Sequence, residues 1–220
     1  MEKEILKVLV GSRAHGIHTE DSDYDYRGVF VLPTKEFFRV DVGKTKGTNW
    51  IEGEIDNTSW EVGHFLRLAT KSNPSILEVF FAPLDSFDDR GIELIGLFDS
   101  VWSSKGVYNA YNGYAINQIK KILDLNNDNP SKYAANCLRV LYNGYELLTK
   151  GTFTTNIALT EVGEQVKNFK NGVSTFGEII DECTKWQQRL KIAFEANPDK
   201  ETNFEPVNEY LLSVRKSFLD

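Results

Sequence analysis

Strand patterning in this chain is concentrated before about residue 62, and the sequence beyond it reads almost entirely as helix. That asymmetry restricts the fold to a small mixed sheet with its own helices, followed by a helical bundle packed against it. Residues 5–10 are a short apolar, β-branched run that stops at Gly11-Ser12, the pattern of a buried strand. Residues 24–32 read as a second strand ending at Pro33. A third lies within residues 49–60, with Glu54, Asp56, Thr58 and Trp60 sharing one face. Residues 42–53 carry three glycines and two lysines and read as a mobile loop or hairpin. Helical spacing predicts helices over residues 61–71, 74–81, 90–98, 107–124, 131–150, 176–197 and 205–218. Pro74 suits a helix start, Ser131 an N-cap, and Gly151 a C-terminal stop.

Composition narrows the class. With 41% hydrophobic and 26% charged residues, the 220-residue chain has the makeup of a soluble globular protein able to bury a core. No apolar run approaches the roughly 18 residues of a membrane span. The start Met1-Glu2-Lys3-Glu4 resembles no secretory signal, so a cytoplasmic location is expected. Cys137 and Cys183 stand alone and read as small core residues rather than as a zinc or disulfide framework. His15, His18 and His64 lack partners at ligand spacing. Gly43-Lys44-Thr45 lacks the upstream glycine of a P-loop, since Phe38 stands there. A net charge of −7 argues against a broad surface for coating nucleic acid but leaves room for a local basic groove. Part of that excess acid can be carboxylates awaiting a cation.

The stretch richest in chemistry is Gly11-Ser12-Arg13-Ala14-His15-Gly16 followed by Asp21-Ser22-Asp23-Tyr24-Asp25-Tyr26-Arg27-Gly28. It places a Gly-Ser turn between a strand and a short helix, and then a strand presenting two carboxylates. Side chains at i and i+2 of a strand share a face, so Asp23 and Asp25 point the same way, about 7 Å apart. Hard oxygen ligands so spaced suit magnesium. Gly11 permits close backbone approach, and amides at a helix start suit a phosphate. A second constellation lies on the helix expected over 131–150. Lys132, Asn136, Arg139, Asn143 and Lys150 fall on one face, opposite an apolar stripe of Ala134, Leu138, Leu141, Tyr145 and Leu148. Such a polar face is either solvated or used to bind an anion.

Gly-Ser, a ten-residue spacer and Asp-x-Asp together resemble the signature of the DNA polymerase beta nucleotidyltransferase superfamily. The fuller string resembles a branch of predicted nucleotidyltransferases, some linked to RNA repair. Asn73-Pro74-Ser75-Ile76-Leu77-Glu78 is similar to a helix start of that branch, and residues 132–139 and 147–151 resemble its C-terminal helix. The resemblance implies an α/β (α+β) fold: a polymerase-beta-type palm over residues 1–100, with residues 101–220 a helical domain closing the nucleotide cleft. It implies that Asp23 and Asp25 bind two Mg2+ ions, with Mn2+ as a substitute. A third carboxylate on the adjacent strand would be Asp56, or Glu54 on the same face. Gly11 and Ser12 would cradle a triphosphate, and Lys132 and Arg139 would hold it from the second domain. Arg13 and Arg27 suit either phosphate contact or the balancing of nearby carboxylates. The implied reaction moves a nucleoside monophosphate from a nucleoside triphosphate, with ATP or CTP favoured, to an acceptor hydroxyl such as an RNA or tRNA 3′ end. Two alternatives stay open: nucleotidylation of a protein or small molecule, and a non-catalytic nucleotide sensor.

Overall fold

The structure, a computed structural model, describes residues 2–40, 48–51, 55–124 and 126–219. Strand β1 (Lys3–Val10) runs into helix α1 (Gly11–Ala14), and β2 (Tyr24–Val31) returns antiparallel to it. After β3 (Thr48–Ile51), strand β4 (Ile55–Glu61) lies parallel to β2 and leads into α2 (Val62–Ala69). Helix α3 (Pro74–Leu77) continues as a 3-10 turn over Glu78–Phe80, and β5 (Leu84–Phe87) then pairs antiparallel with β1. The result is a five-stranded mixed sheet in the order β3-β4-β2-β1-β5. Helices α4 (Asp89–Ile95), α5 (Phe98–Val101), α6 (Ser104–Leu123), α7 (Pro130–Lys150), α8 (Gly163–Lys170), α9 (Phe176–Ala196) and α10 (Phe204–Ser217) complete the chain.

Local chemistry explains most boundaries. Helix α3 begins with Pro74 behind an Asn73 cap, whose side-chain oxygen accepts from the Ser75 amide at 3.0 Å. At the start of α7 the cap is Asn129, two residues before the expected Ser131, and it accepts from the Lys132 amide at 3.1 Å. Gly151 ends α7 in the left-handed conformation, φ +73°, donating its amide to the Leu147 carbonyl. Thr175 and Glu178 form a reciprocal capping box at α9.

Beyond residue 62 the described chain is almost entirely helical, as its spacing implies; the exception is β5, a short, exposed edge strand that the sequence did not signal. The polar face of α7, which the sequence left as either solvated or anion-binding, is exposed at Lys132 and Lys150 and buried at its centre. This helix packs against α6, α8 and α9, and Arg139 and Asn143 are buried with the apolar residues around them. One buried apolar cluster runs from Ile5 on β1 through Leu77, Leu138 and Trp186 to Val214 on α10, crossing residue 100 without interruption. No helix among the described residues is long and apolar enough to cross a membrane.

Candidate active site

The antiparallel register places Val10, the last residue of β1, opposite Asp25. Gly11 follows at φ +68°, and a Cβ built there would lie 1.9 Å from Asp25 Oδ2. Only glycine permits both the left-handed turn and the approach of this carboxylate to the backbone. Ser12 lies inside the first turn of α1, whose N-cap is Val10, with no side chain capping that turn.

Asp23 stands just before β2 and Asp25 just inside it; both line one cavity of about 450 Å3. Tyr24 and Tyr26 stack on each other, with Arg13 lying over the first ring and Lys7 over the second. Alternation along β2 then puts Asp25 and Arg27 on the same face. Arg13 also donates to the Ser22 carbonyl from Nη2 at 2.7 Å and from Nε at 3.0 Å. It thus braces the turn before the carboxylates and is not part of the cavity wall. Asp56 is the register partner of Asp25 on the parallel strand β4. The Asp56 side chain, and Glu54 altogether, lie outside the described residues.

Of the residues singled out from the sequence, Gly11, Ser12, Asp23, Asp25, Lys132 and Arg139 meet at this cavity. Among the residues of its wall that were not assigned a site role from the sequence are His15, Ser75, Glu78 and Lys170. Lys170, the last residue of α8, donates to the Ile17 carbonyl at 2.7 Å. Burial lowers its ammonium below the ordinary lysine value, helped by the charge of Lys132 and opposed by Asp25. Nothing in the local sequence marks Lys170, since only tertiary packing brings the end of α8 to Ile17 in the segment between α1 and β2.

Glu78 carried a usable signal: a lone carboxylate in the apolar run Ile76-Leu77-Glu78-Val79-Phe80. It is 2% exposed. Arg27 Nη1 donates to its Oε2 and also to the Ser75 carbonyl at 2.9 Å. Arg139 Nη1 donates to Oε1 at 3.2 Å, and His15 Nε2 makes a short contact with the same oxygen. Burial alone pushes the Glu78 carboxyl up, but Arg139, His15 and Arg27 outweigh it and hold the group well below the usual carboxylate range. Burial, aided by Arg139, lowers His15, which is therefore a neutral donor to Glu78 at neutral pH.

The cavity thus has a carboxylate wall, Asp23 and Asp25, and a cationic wall of Arg27, Lys132, Arg139 and Lys170 drawn from three elements. Among the described residues no group of three or more His, Cys, Asp or Glu side chains is arranged to hold a metal ion. The donors do fit one in kind. Two carboxylates beside a Cβ-free backbone suit a hard, oxygen-seeking divalent cation, and the nearest imidazole is already engaged by Glu78.

A family model described as the RNA repair pathway DNA polymerase beta family matches residues 3–210. Uncharacterized protein YcgL of Bacillus subtilis (strain 168) is 37% identical over 76 residues, 34% of this chain and 29% of its own. Uncharacterized protein MJ0002 of Methanocaldococcus jannaschii is 27% identical over 161 residues, 72% of this chain and 65% of its own. Each match spans less than two thirds of the relative.

Proposed function

Because this chain belongs to the RNA repair pathway DNA polymerase beta family, we propose that it transfers a nucleoside monophosphate from a nucleoside triphosphate to the 3′ hydroxyl of an RNA. The observation carrying this reading is one cavity lined by Asp23, Asp25, Lys132, Lys170 and Arg139 together with Gly11 and Ser12. A magnesium triphosphate needs this pairing of oxygen donors on one side with fixed positive charge on the other.

In this mechanism Asp23 and Asp25 would hold the divalent cations, with Asp56, the register partner of Asp25, as the proposed third ligand. The cations would supply Lewis-acid stabilisation of the phosphoryl oxygens and of the leaving group. Gly11 and Ser12 orient the triphosphate through the first turn of α1, and Lys132 and Lys170 neutralise its β- and γ-phosphates. The acceptor oxygen forms a bond to the α-phosphorus as the bond from that phosphorus to the β-bridging oxygen breaks. Pyrophosphate leaves, and the hydroxyl proton passes to a carboxylate of the site, for which Asp56 is the candidate. Cations already fixed in place, as Arg139 is by burial and Lys170 by its bond to the Ile17 carbonyl, need little reorganisation as charge shifts to the leaving group. The family description, which names an RNA repair pathway, supports the RNA acceptor.

The test is incubation of the protein with each labelled triphosphate, magnesium, total RNA and cell lysate, beside Asp23→Asn and Asp25→Asn. The expected result is magnesium-dependent label on RNA 3′ ends, lost in both variants while their circular dichroism is unchanged. Label confined to protein or a small molecule would replace the acceptor. Equal transfer by folded Asp25→Asn would remove the carboxylates from the mechanism.

A further inference from the structure

Glu78 occupies a place where a carboxylate is costly, because Ile76, Leu77, Val79 and Phe80 around it in sequence are all buried. Its three partners come from separate parts of the fold. His15 directly follows α1 and the Gly11-Ser12 turn. Arg27 lies two residues beyond Asp25 on the same face of β2. Arg139 lies on α7, two turns beyond Lys132. All four side chains line the cavity. One carboxylate therefore joins the phosphate turn, the metal-ligand strand and the cationic helix at a single point.

Resting on the transferase reading, we infer that Glu78 is a positioning residue for nucleotidyl transfer, which sets the Asp25 strand and the Lys132–Arg139 helix in register and orients the two guanidinium groups toward the triphosphate. Glutamate is specifically suited to this. Glutamine has one acceptor oxygen and cannot balance two guanidinium charges, and aspartate is one methylene short of the reach. The guanidinium of Arg139 is not consumed by the contact, since its buried Nε has no partner in the protein. Arg27 is fixed from two sides, by Glu78 and by the Ser75 carbonyl. Each arginine thus reaches the cavity in one orientation, which is what bidentate recognition of phosphate requires.

The experiment uses the full chain with Glu78→Gln and Glu78→Asp, the second keeping the charge so that folding survives. KM for the triphosphate and kcat are measured together with titration of a non-hydrolysable ATP analogue, which reports affinity and the fraction of intact sites. Positioning predicts KM and Kd raised at least ten-fold in Glu78→Gln and at least three-fold in Glu78→Asp, with binding stoichiometry unchanged. Should Glu78→Gln fail to fold, Glu78→Asp alone decides. Affinity and KM within two-fold of wild type in the folded variants, with only a lower melting temperature, would make Glu78 a packing residue and overturn the inference. A wild type that binds no analogue would overturn the transferase reading, and this inference with it.

Discussion

Gly11 and Gly151 share a left-handed backbone, φ +68° and +73°, but not an environment. At Gly151 nothing lies within 4 Å of an added Cβ, so Gly151→Ala meets only the left-handed penalty. That substitution should cost about 1 kcal/mol and leave transfer intact. At Gly11 the added methyl would strike the Asp25 carboxylate. Gly11→Ala should therefore cost a similar or somewhat larger amount of stability, about 1–3 kcal/mol, and lower kcat at least 100-fold. Melting curves and transfer rates for the pair separate backbone strain from displacement of the carboxylate. Normal transfer by Gly11→Ala would show that the close approach is dispensable. At this scale the sequence was legible where chemistry is local: Gly11, Ser12, Asp23 and Asp25 sit within 15 residues of one another and line one cavity. Arg139 was placed on the polar face of its helix, but its burial was not legible, because helical periodicity records direction and not what packs there. Glu78 and Lys170 join the site across 51 or more residues, and no spacing rule reaches that far.

Elements followed the same division. Helices α6, α7, α9 and α10 are long enough for a repeated apolar spacing, and their expected spans lie within a few residues of those observed. Strand β5 was missed because Leu84-Asp85-Ser86-Phe87 is four exposed residues after a proline, without alternation, and forms only through pairing with β1. Helix α8 was missed because it begins at a glycine and spans barely two turns. The docking of α10 was equally invisible. Arg215 Nη1 lies 2.7 Å from Glu61 Oε1 at the end of β4, an ion pair by distance though not aligned as a hydrogen bond. The Thr34 hydroxyl donates to the Arg215 carbonyl at 2.6 Å. Since Glu61 is buried, Arg215→Ala would strand its charge. The expected cost is about 3 kcal/mol, read as a lower urea midpoint with an unchanged slope. Arg215 does not line the cavity, so the triphosphate KM should stay within two-fold. A variant with wild-type stability would show that the pair contributes nothing to holding α10.

For the molecule as a whole, a core continuous across residue 100 means that the buried Glu78 cluster is felt in global unfolding. Two groups there give the stability a definite pH dependence of one sign. Folded Glu78 has a pKa well below its ordinary 4.5. Below pH 4.5 the unfolded chain takes up that proton while the folded chain refuses it. The unfolded state then binds more protons, and stability falls as the pH falls. Folded His15 has a pKa lowered from 6.5, so below pH 6.5 the unfolded chain again takes up a proton that the fold excludes. Both contributions are therefore present in full above pH 6.5 and are lost toward acid, His15 first and Glu78 later. Urea midpoints should be level between pH 7 and 8, decline below 6.5, and decline further below 4.5. His15→Gln should flatten the first decline. Glu78→Gln should be the less stable protein at pH 7, because Arg27 and Arg139 lose their shared counter-charge. Its deficit relative to wild type should shrink as the pH falls through the folded pKa of Glu78, where the wild-type carboxyl also becomes neutral. A deficit that stays constant from pH 7 to pH 2 would mean that the Glu78 carboxyl has the same pKa folded and unfolded, so that Arg27, Arg139 and His15 do not hold it down.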